Sequence, residues 1–256
     1  MRIVACGDIH CKPHVLENAL KATKWDKFVF LGDACDDWGK TQEDNLRTIK
    51  TIIDIKKTYG DKFVWLLGNH DWGYYDDTVN MSGHIRAGEA NVCHLLEENI
   101  DSWELFYSPN GKIVFSHAGL GLEFLNECHN IPYKELKRQR GQNNPVNNVG
   151  PLAGGWSTSP SLIWARPEEI TPPTAETKLI STQIVGHTPV KKITTTENGL
   201  VVCDTFSSYP DGTPYGDYSL LLIDISDDSS QDFTMSAINY LTGKELYHVP
   251  ATPSEI

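Results

Sequence analysis

The chain has no stretch that approaches ~20 consecutive apolar residues, so the sequence offers no candidate for a membrane-spanning helix. Nor does it contain a C-x-x-C pair. Its six cysteines stand at 6, 11, 35, 93, 128 and 203, and neither a zinc knuckle nor a thioredoxin motif is spelled out among them. The first residues lack the apolar run of a secretion signal, because Asp8 falls where that run would have to lie. The expectation is a cytoplasmic protein with reduced thiols, most of them small buried hydrophobes. Positive charge is scarce as well: 22 Lys and Arg against 34 Asp and Glu give a net charge of −12. That balance argues against a broad nucleic-acid surface and is compatible with bound divalent cations, whose charge the formal count omits. There is no internal repeat and no linker-like stretch. With 256 residues, 39% hydrophobic and 22% charged, the chain is too apolar to be disordered and is expected to form a single domain over 1–256.

What is present is an alternation of strand and helix signals, each strand running into a turn residue and then polar groups. Arg2 to Cys6 is an apolar run that stops at Gly7-Asp8, and Lys27 to Leu31 stops at Gly32-Asp33. Lys62 to Leu67 stops at Gly68-Asn69-His70-Asp71. Between them, His14 to Thr23 and Thr41 to Tyr59 carry apolar stripes at helical spacing. Ala90 to Asn99 also reads as a helix, and Leu122 to Arg140 as an amphipathic segment interrupted by Pro132. Trp103 to Tyr107 and Lys112 to Phe115 read as a hairpin, whose second strand ends at Ser116-His117-Ala118-Gly119. The last third is β-rich. Lys178 to Val185 ends at Gly186-His187-Thr188-Pro189 and Leu200 to Cys203 ends at Asp204. Tyr218 to Ile225 and Asp232 to Asn239 follow around a turn at Asp227 to Ser230, and the tail after Leu241 is weakly patterned. Residues 141–160, rich in Asn, Gly, Pro and Ser, form a loop long enough to border or cover a site.

In open α/β sheets ligands bind beyond the carboxyl ends of the strands. Taken singly, each of these turns has a plainer explanation as a cap or a satisfied core histidine. Five in succession, G-D-x-H, G-D-x-x-D, G-N-H-D, S-H-A-G and G-H-T-P, deliver carboxylates, imidazoles and an amide oxygen to one edge. Those donors suit first-row divalent metals without a thiolate. Two cations ~3.5–4 Å apart need a shared carboxylate between them and activate a water.

The ordered set Asp8/His10, Asp33/Asp36, Asn69/His70, His117 and His187 resembles the calcineurin-like metallophosphoesterase superfamily. The resemblance extends over about residues 1 to 225. Within that superfamily the chain is most similar to the branch of bacterial and phage serine/threonine phosphoprotein phosphatases and diadenosine tetraphosphate hydrolases. Two features point there. His187 is followed by Thr188-Pro189 rather than by a second histidine two places on, and Leu162 to Arg166 resembles the Leu-x-Trp-x-Arg segment of small microbial phosphatases.

The resemblance implies a fold of α/β class, a four-layer αββα sandwich of two mixed sheets flanked by helices. It implies two divalent metal ions, with manganese the first expectation and iron, zinc, nickel or magnesium as alternatives. Asp8 and His10 would bind the first, Asp33 would bridge, and Asn69, His117 and His187 would bind the second. His70 would be the general acid, oriented and charged by Asp36, with a metal-bridging hydroxide as nucleophile, and Arg166 would hold phosphate oxygens. In the phosphoprotein phosphatases the second Asp of G-D-x-x-D is followed by a phosphate-binding Arg, but this chain has Asp37 there. A carboxylate cannot do that job, which leaves Arg166 as the clearest phosphate-binding arginine, with Lys12 as a nearby cation.

The expected activity is a dinuclear metal-dependent phosphatase acting on phosphomonoesters, phosphoprotein among them. A nucleotide pyrophosphatase of the diadenosine tetraphosphate type, a phosphodiesterase, and a non-catalytic scaffold of the same fold are the alternatives. The basic run Lys134, Lys137, Arg138 and Arg140 would receive a polyanionic substrate or form a solvated helix end. Trp38, Trp72, Tyr74 and Tyr75 would stack on a base or pack in the core and rim.

Overall fold

The structure, a computed structural model, describes residues 1–171, 182–226 and 233–251. In chain order its elements begin with β1 (Arg2–Cys6), α1 (Pro13–Ala22), β2 (Lys27–Phe30), α2 (Gln42–Tyr59), β3 (Phe63–Leu66), α3 (Asn69–Tyr75) and α4 (Glu89–Glu98). Then come β4 (Trp103–Glu104), β5 (Phe106–Tyr107), β6 (Ile113–Ser116), α5 (Leu122–Cys128) and α6 (Tyr133–Arg138). After short 3-10 turns follow β7 (Thr182–Pro189), β8 (Thr194–Thr195), β9 (Leu200–Asp204), β10 (Ser219–Ile225), β11 (Phe233–Asn239) and β12 (Glu245–His248).

The strands form two mixed sheets flanked by helices, the α/β sandwich that the resemblance implies. One sheet has seven strands in the order β12-β11-β10-β1-β2-β3-β4, and the other five in the order β5-β6-β7-β9-β8. The period of two along the strands explains the layering. Ile3, Ala5, Val29, Leu31, Val64 and Leu66 point to one face of the larger sheet and share a core with Phe115, Ile184 and Val201 of the smaller. The intervening residues Val4, Phe28, Phe30, Phe63 and Trp65 point the other way, onto the apolar stripes of α1 and α2. Strands β1 to β4 run parallel, joined by helical crossovers, so their carboxyl ends share one edge.

Helix α2 begins at a capping box. Thr41 accepts from the Asp44 N–H, and the Asp44 carboxylate accepts from the Thr41 N–H at 2.9 Å.

Several local expectations change. Trp103 to Tyr107 is not one strand. The chain leaves the seven-stranded sheet after Glu104 and joins the other at Phe106, with Leu105 buried at the crossing. Only β5 pairs with β6 as a hairpin. Pro132 splits the expected amphipathic segment into α5 and α6, serving as the residue before the first turn of α6. The tail after Leu241 contributes β12, which adds to the sheet edge through Ala237 and Ser236. Residues 178–181, the turn at 227–230 and Asp232 lie outside the described residues. Among the described residues no helix is long and apolar enough to cross a membrane.

Candidate active site

The strand ends gather as their spacing requires. Asp8 follows β1 and Asp33 follows β2. Asn69 and His70 open α3 directly after β3, His117 follows β6, and His187 lies within β7. The tight geometry is visible in the backbone: His10, Asp33, Asp36 and His187 all have positive φ, between 39° and 61°. Non-glycine residues seldom adopt that region, and such strain collects at functional sites. The glycines before the polar residues allow close approach. A Cβ at Gly68 would fall onto the Asp33 carboxylate, and one at Gly186 onto Asp8 Oδ1.

Two triads share Asp33. Asp8, His10 and Asp33 offer one ligand atom each within 4.8 Å of one another, and Asp33, His117 and His187 do the same. Backbone groups orient the imidazoles. His10 Nδ1 contacts the Asp36 carbonyl at 2.7 Å, which leaves Nε2 facing Asp8 and Asp33 at 4.0 and 3.9 Å. His117 Nδ1 contacts the Leu31 carbonyl at 2.8 Å, and its Nε2 lies 3.4 Å from Asp33 and 3.0 Å from Asn69 Oδ1. The Asp8 carboxylate accepts the His187 N–H at 3.0 Å.

The electrostatics fit a cation-binding centre. Burial, with Asp204 and Asp33 adding, pushes the Asp8 carboxyl well above the usual range. Asp33 is buried too, yet His117, His70 and His10 outweigh that and hold it well below. Burial, helped by His117 and Arg166, keeps the His187 imidazole neutral, and its Nε2 is buried with no hydrogen-bond partner among the described residues. A neutral, unpartnered imidazole beside crowded carboxylates is the donor set a divalent metal accepts.

His70 and Asp36 form a separate pair. His70 Nδ1 lies 3.1 Å from Asp36 Oδ2, and the His70 N–H donates to Asp33 Oδ1 at 2.9 Å. Burial opposes the imidazolium, but Asp33 and Asp36 prevail and raise its pKa to about 9. Arg166 donates through Nη1 to the His187 carbonyl at 2.8 Å and to Thr188 Oγ1 at 3.2 Å. His10, Asp33, Asp36, Asn69, His70, Arg166 and His187 border a cleft of about 500 Å³, while Asp8 and His117 are buried next to them without lining it.

For other residues around the site the structure decides between the alternatives. Lys12 is a buried lysine. It is only 9% exposed, and its Nζ pairs with Asp37 at 2.9 Å, so the carboxylate at 37 has a cation of its own. Lys137, Arg138 and Arg140 pair with Glu104, Asp101 and Glu97 away from the cleft. Trp72, Tyr74 and Tyr75 are buried, whereas Trp38, 53% exposed, borders the cleft. In 141–160, Asn147 is buried and receives the Trp72 indole N–H at 2.8 Å, while Ala153 borders the cleft.

Asp71, Asp204 and Asn45 also serve the site with no role expected of them, and Tyr74 does so in a way other than stacking or packing. Asp71 Oδ1 accepts the N–H groups of Ala34 and Cys35, bracing the Asp33–Asp36 turn. Asp204 is buried, borders the cleft, and is held by Ser207 Oγ at 2.8 Å. Asn45 and Tyr74 bond Asp36. The available signal for Asn45 was an amide sitting four residues before Ile49 in an otherwise apolar helix stripe.

Comparison with known proteins gives a consistent answer. The family described as Calcineurin-like phosphoesterase matches residues 1–195. Human serine/threonine-protein phosphatase 5 is 27% identical over 150 residues, which cover 57% of this chain and 29% of that enzyme. The serine/threonine-protein phosphatase PP1-delta of Caenorhabditis elegans is 24% identical over 179 residues, 65% of this chain and 50% of that protein. This chain therefore spans half or less of the curated relatives it matches. Among solved structures, a cold-active protein-tyrosine phosphatase of a psychrophilic Shewanella aligns with a TM-score of 0.63 at 18% identity, covering 96% of this chain and 80% of that one. A Saccharomyces cerevisiae protein serine/threonine phosphatase aligns with a TM-score of 0.62 at 13% identity, covering 97% and 82%. At these identities the likeness is one of fold.

Proposed function

The chain belongs to the calcineurin-like phosphoesterase family, and from that premise we propose that it is a metal-dependent phosphatase that hydrolyses phosphomonoesters. The observation that carries the reading is the pair of triads meeting at Asp33. Asp8, His10 and Asp33 would hold one divalent cation, and Asp33, Asn69, His117 and His187 a second, with manganese the first candidate. Bound there, the two cations would neutralise phosphate charge and lower the pKa of a water for in-line attack. The chain's own residues do the rest. Arg166, fixed by the His187 carbonyl, presents its remaining guanidinium N–H groups to phosphate oxygens. His70, which Asp33 and Asp36 hold as an imidazolium, donates Nδ1–H to Asp36 and gives its Nε2 proton to the leaving oxygen. Residues 141–160 border the cleft through Ala153.

Two observations favour a second reading, a nucleotide pyrophosphatase. Lys12 neutralises Asp37 where a phosphate-binding cation is expected, and the exposed Trp38 ring on the cleft could stack on a base. The test is phosphate release from a phosphopeptide by the manganese-loaded protein, in parallel with chromatography of ADP formed from diadenosine tetraphosphate. Phosphatase activity abolished by chelation and lowered roughly 10²–10⁴-fold in His70→Ala is the expected result. Preference for the dinucleotide would move the assignment to the second reading. Turnover unaffected by chelation would overturn both.

A further inference from the structure

We infer that Tyr74 and Asn45 are positioning residues for the general acid, acting through Asp36; this rests on His70 protonating the leaving group. Asp36 is buried and divides its two oxygens. Oδ2 faces His70 Nδ1 at 3.1 Å, and Oδ1 accepts the Tyr74 hydroxyl at 2.6 Å. The Tyr74 oxygen is in turn saturated, accepting the Asn45 amide at 2.8 Å and the Ile85 N–H at 3.1 Å. Asn45 also fixes the backbone of Asp36: its Oδ1 accepts the Asp36 N–H at 2.9 Å, at a residue whose φ is +59°. Its Nδ2 reaches Asp36 Oδ1 at 3.2 Å as well.

The arrangement does more than satisfy polar groups. A buried carboxylate with one free oxygen could rotate about χ2 and let the His70 bond lapse. With Oδ1 committed to Tyr74 and the backbone N–H committed to Asn45, only Oδ2 remains for His70, and the imidazole is turned so that Nε2 meets the cleft. Tyr74 is also tied to the cleft wall. Its ring lies 4.3 Å from that of His84, and the same hydroxyl holds Ile85, which borders the cleft with Met81. A hydrogen bond inside such a network is worth more than in water, and losing an outer member loosens the inner one.

The test uses Tyr74→Phe, which removes one oxygen and leaves the ring, and Asn45→Asp, which keeps the acceptor for Asp36 N–H but replaces the donor facing Tyr74. Both are compared with wild type and His70→Ala in the full manganese-loaded chain, on 2,4-dinitrophenyl, 4-nitrophenyl and phenyl phosphate. Metal content and thermal unfolding are measured alongside. Proton donation matters most for the poorest leaving group. The expected result for both variants is kcat on phenyl phosphate lowered by about tenfold, kcat on the dinitrophenyl ester changed less than about twofold, and KM and metal content unchanged. The second readout is the His70 Nδ1–H proton resonance in magnesium-loaded protein, assigned by its absence in His70→Ala. It should weaken or move in Tyr74→Phe.

An equal loss on all three esters would make Tyr74 merely structural and overturn the inference, as would no loss at all. If His70→Ala itself shows no leaving-group dependence, the general-acid reading fails and the inference with it. Dependence in His70→Ala but not in Tyr74→Phe or Asn45→Asp fails the inference alone. A variant that does not fold would be apparent from its unfolding curve, and the other then decides.

Discussion

The floor of the cleft and its rim are built by different means. At and just behind the floor, Asp8, Asp33, Asn69, His117 and His187 are all buried, and backbone N–H or carbonyl groups of neighbouring strand ends orient Asp8, Asp33 and His117. On the rim, Trp38 is 53% exposed, and beyond Ala153 the chain presents Leu152 at 60% and Trp156 at 95%. Yet the rim is not loose. The Ser157 N–H donates to the Val149 carbonyl at 3.0 Å, and one carboxylate, Glu169, accepts both the Leu152 and Arg166 N–H groups at 2.8 Å. The same polypeptide therefore spends backbone strain and buried charge on the floor and ordinary turn chemistry on the rim. The floor can fix a reaction class. The rim can change which molecule reaches it without disturbing that class.

The largest effect that would break this comparison is expected at Asp33, the residue common to both triads. Asp33→Asn keeps the shape but halves the oxygen donors and removes the charge that His117, His70 and His10 surround. Losing a partner that merely orients a metal ligand costs roughly 10–100-fold, so losing the shared ligand should cost at least about 10³-fold on every substrate, with metal content falling by elemental analysis. A variant that kept its metals and its rate would make the meeting of the two triads an accident of packing.

A smaller and selective effect is expected at Trp38. Stacking of one base on an aromatic side chain is worth about 1–3 kcal/mol, so Trp38→Ala should raise KM for an aromatic or nucleotide substrate by about tenfold while leaving phosphoserine peptide turnover nearly unchanged. Uniform loss across substrates would instead assign Trp38 to support of the Asp36–Asp37 turn, and the division between floor and rim would not hold there.

The floor was legible in the sequence because each of its parts obeys a local rule. An apolar run ending in Gly or Ser and then a carboxylate, amide or imidazole marks a strand end that delivers a polar side chain to a shared edge, and five such ends in order leave few alternatives. The two layered sheets are what the family resemblance implies; the strand and helix patterns by themselves predict only the alternation of elements. What could not be read was contact made across the fold. Nothing near Tyr74 in the chain says that its hydroxyl meets Asp36, which is 38 residues away. Nor does the sequence near Lys12 say that its cation is committed to Asp37, 25 residues distant. The break at Leu105, where one apparent strand serves two sheets, is likewise a tertiary outcome, since local pattern is the same on both sides of it. The short β8 and β12 strands escape notice because two to four residues carry too little periodicity.

The smallest effect tests whether the scaffold behind the floor can be weakened without touching the chemistry. Thr41 caps α2, the helix that carries Asn45, and its hydroxyl donates to Asp44 Oδ2 at 2.9 Å while accepting the Asp44 N–H. Thr41→Ala should lower stability by about 1 kcal/mol at pH 7, as other N-cap deletions do, with kcat unchanged on all substrates. The pH dependence has a definite sign. Hydrogen bonds from the Thr41 backbone and side chain hold the Asp44 carboxyl below the usual aspartate range. A depressed carboxylate stabilises the fold above its unfolded pKa and ceases to do so as pH falls through the folded one. The gap between wild type and variant in urea unfolding should therefore be full above about pH 5 and shrink below about pH 4. A gap that widened in acid would mean that the cap is not what Thr41 supplies. A fall in kcat at neutral pH would mean that the start of α2 controls Asn45, which would extend the floor one helical turn further into the scaffold than its hydrogen bonds indicate.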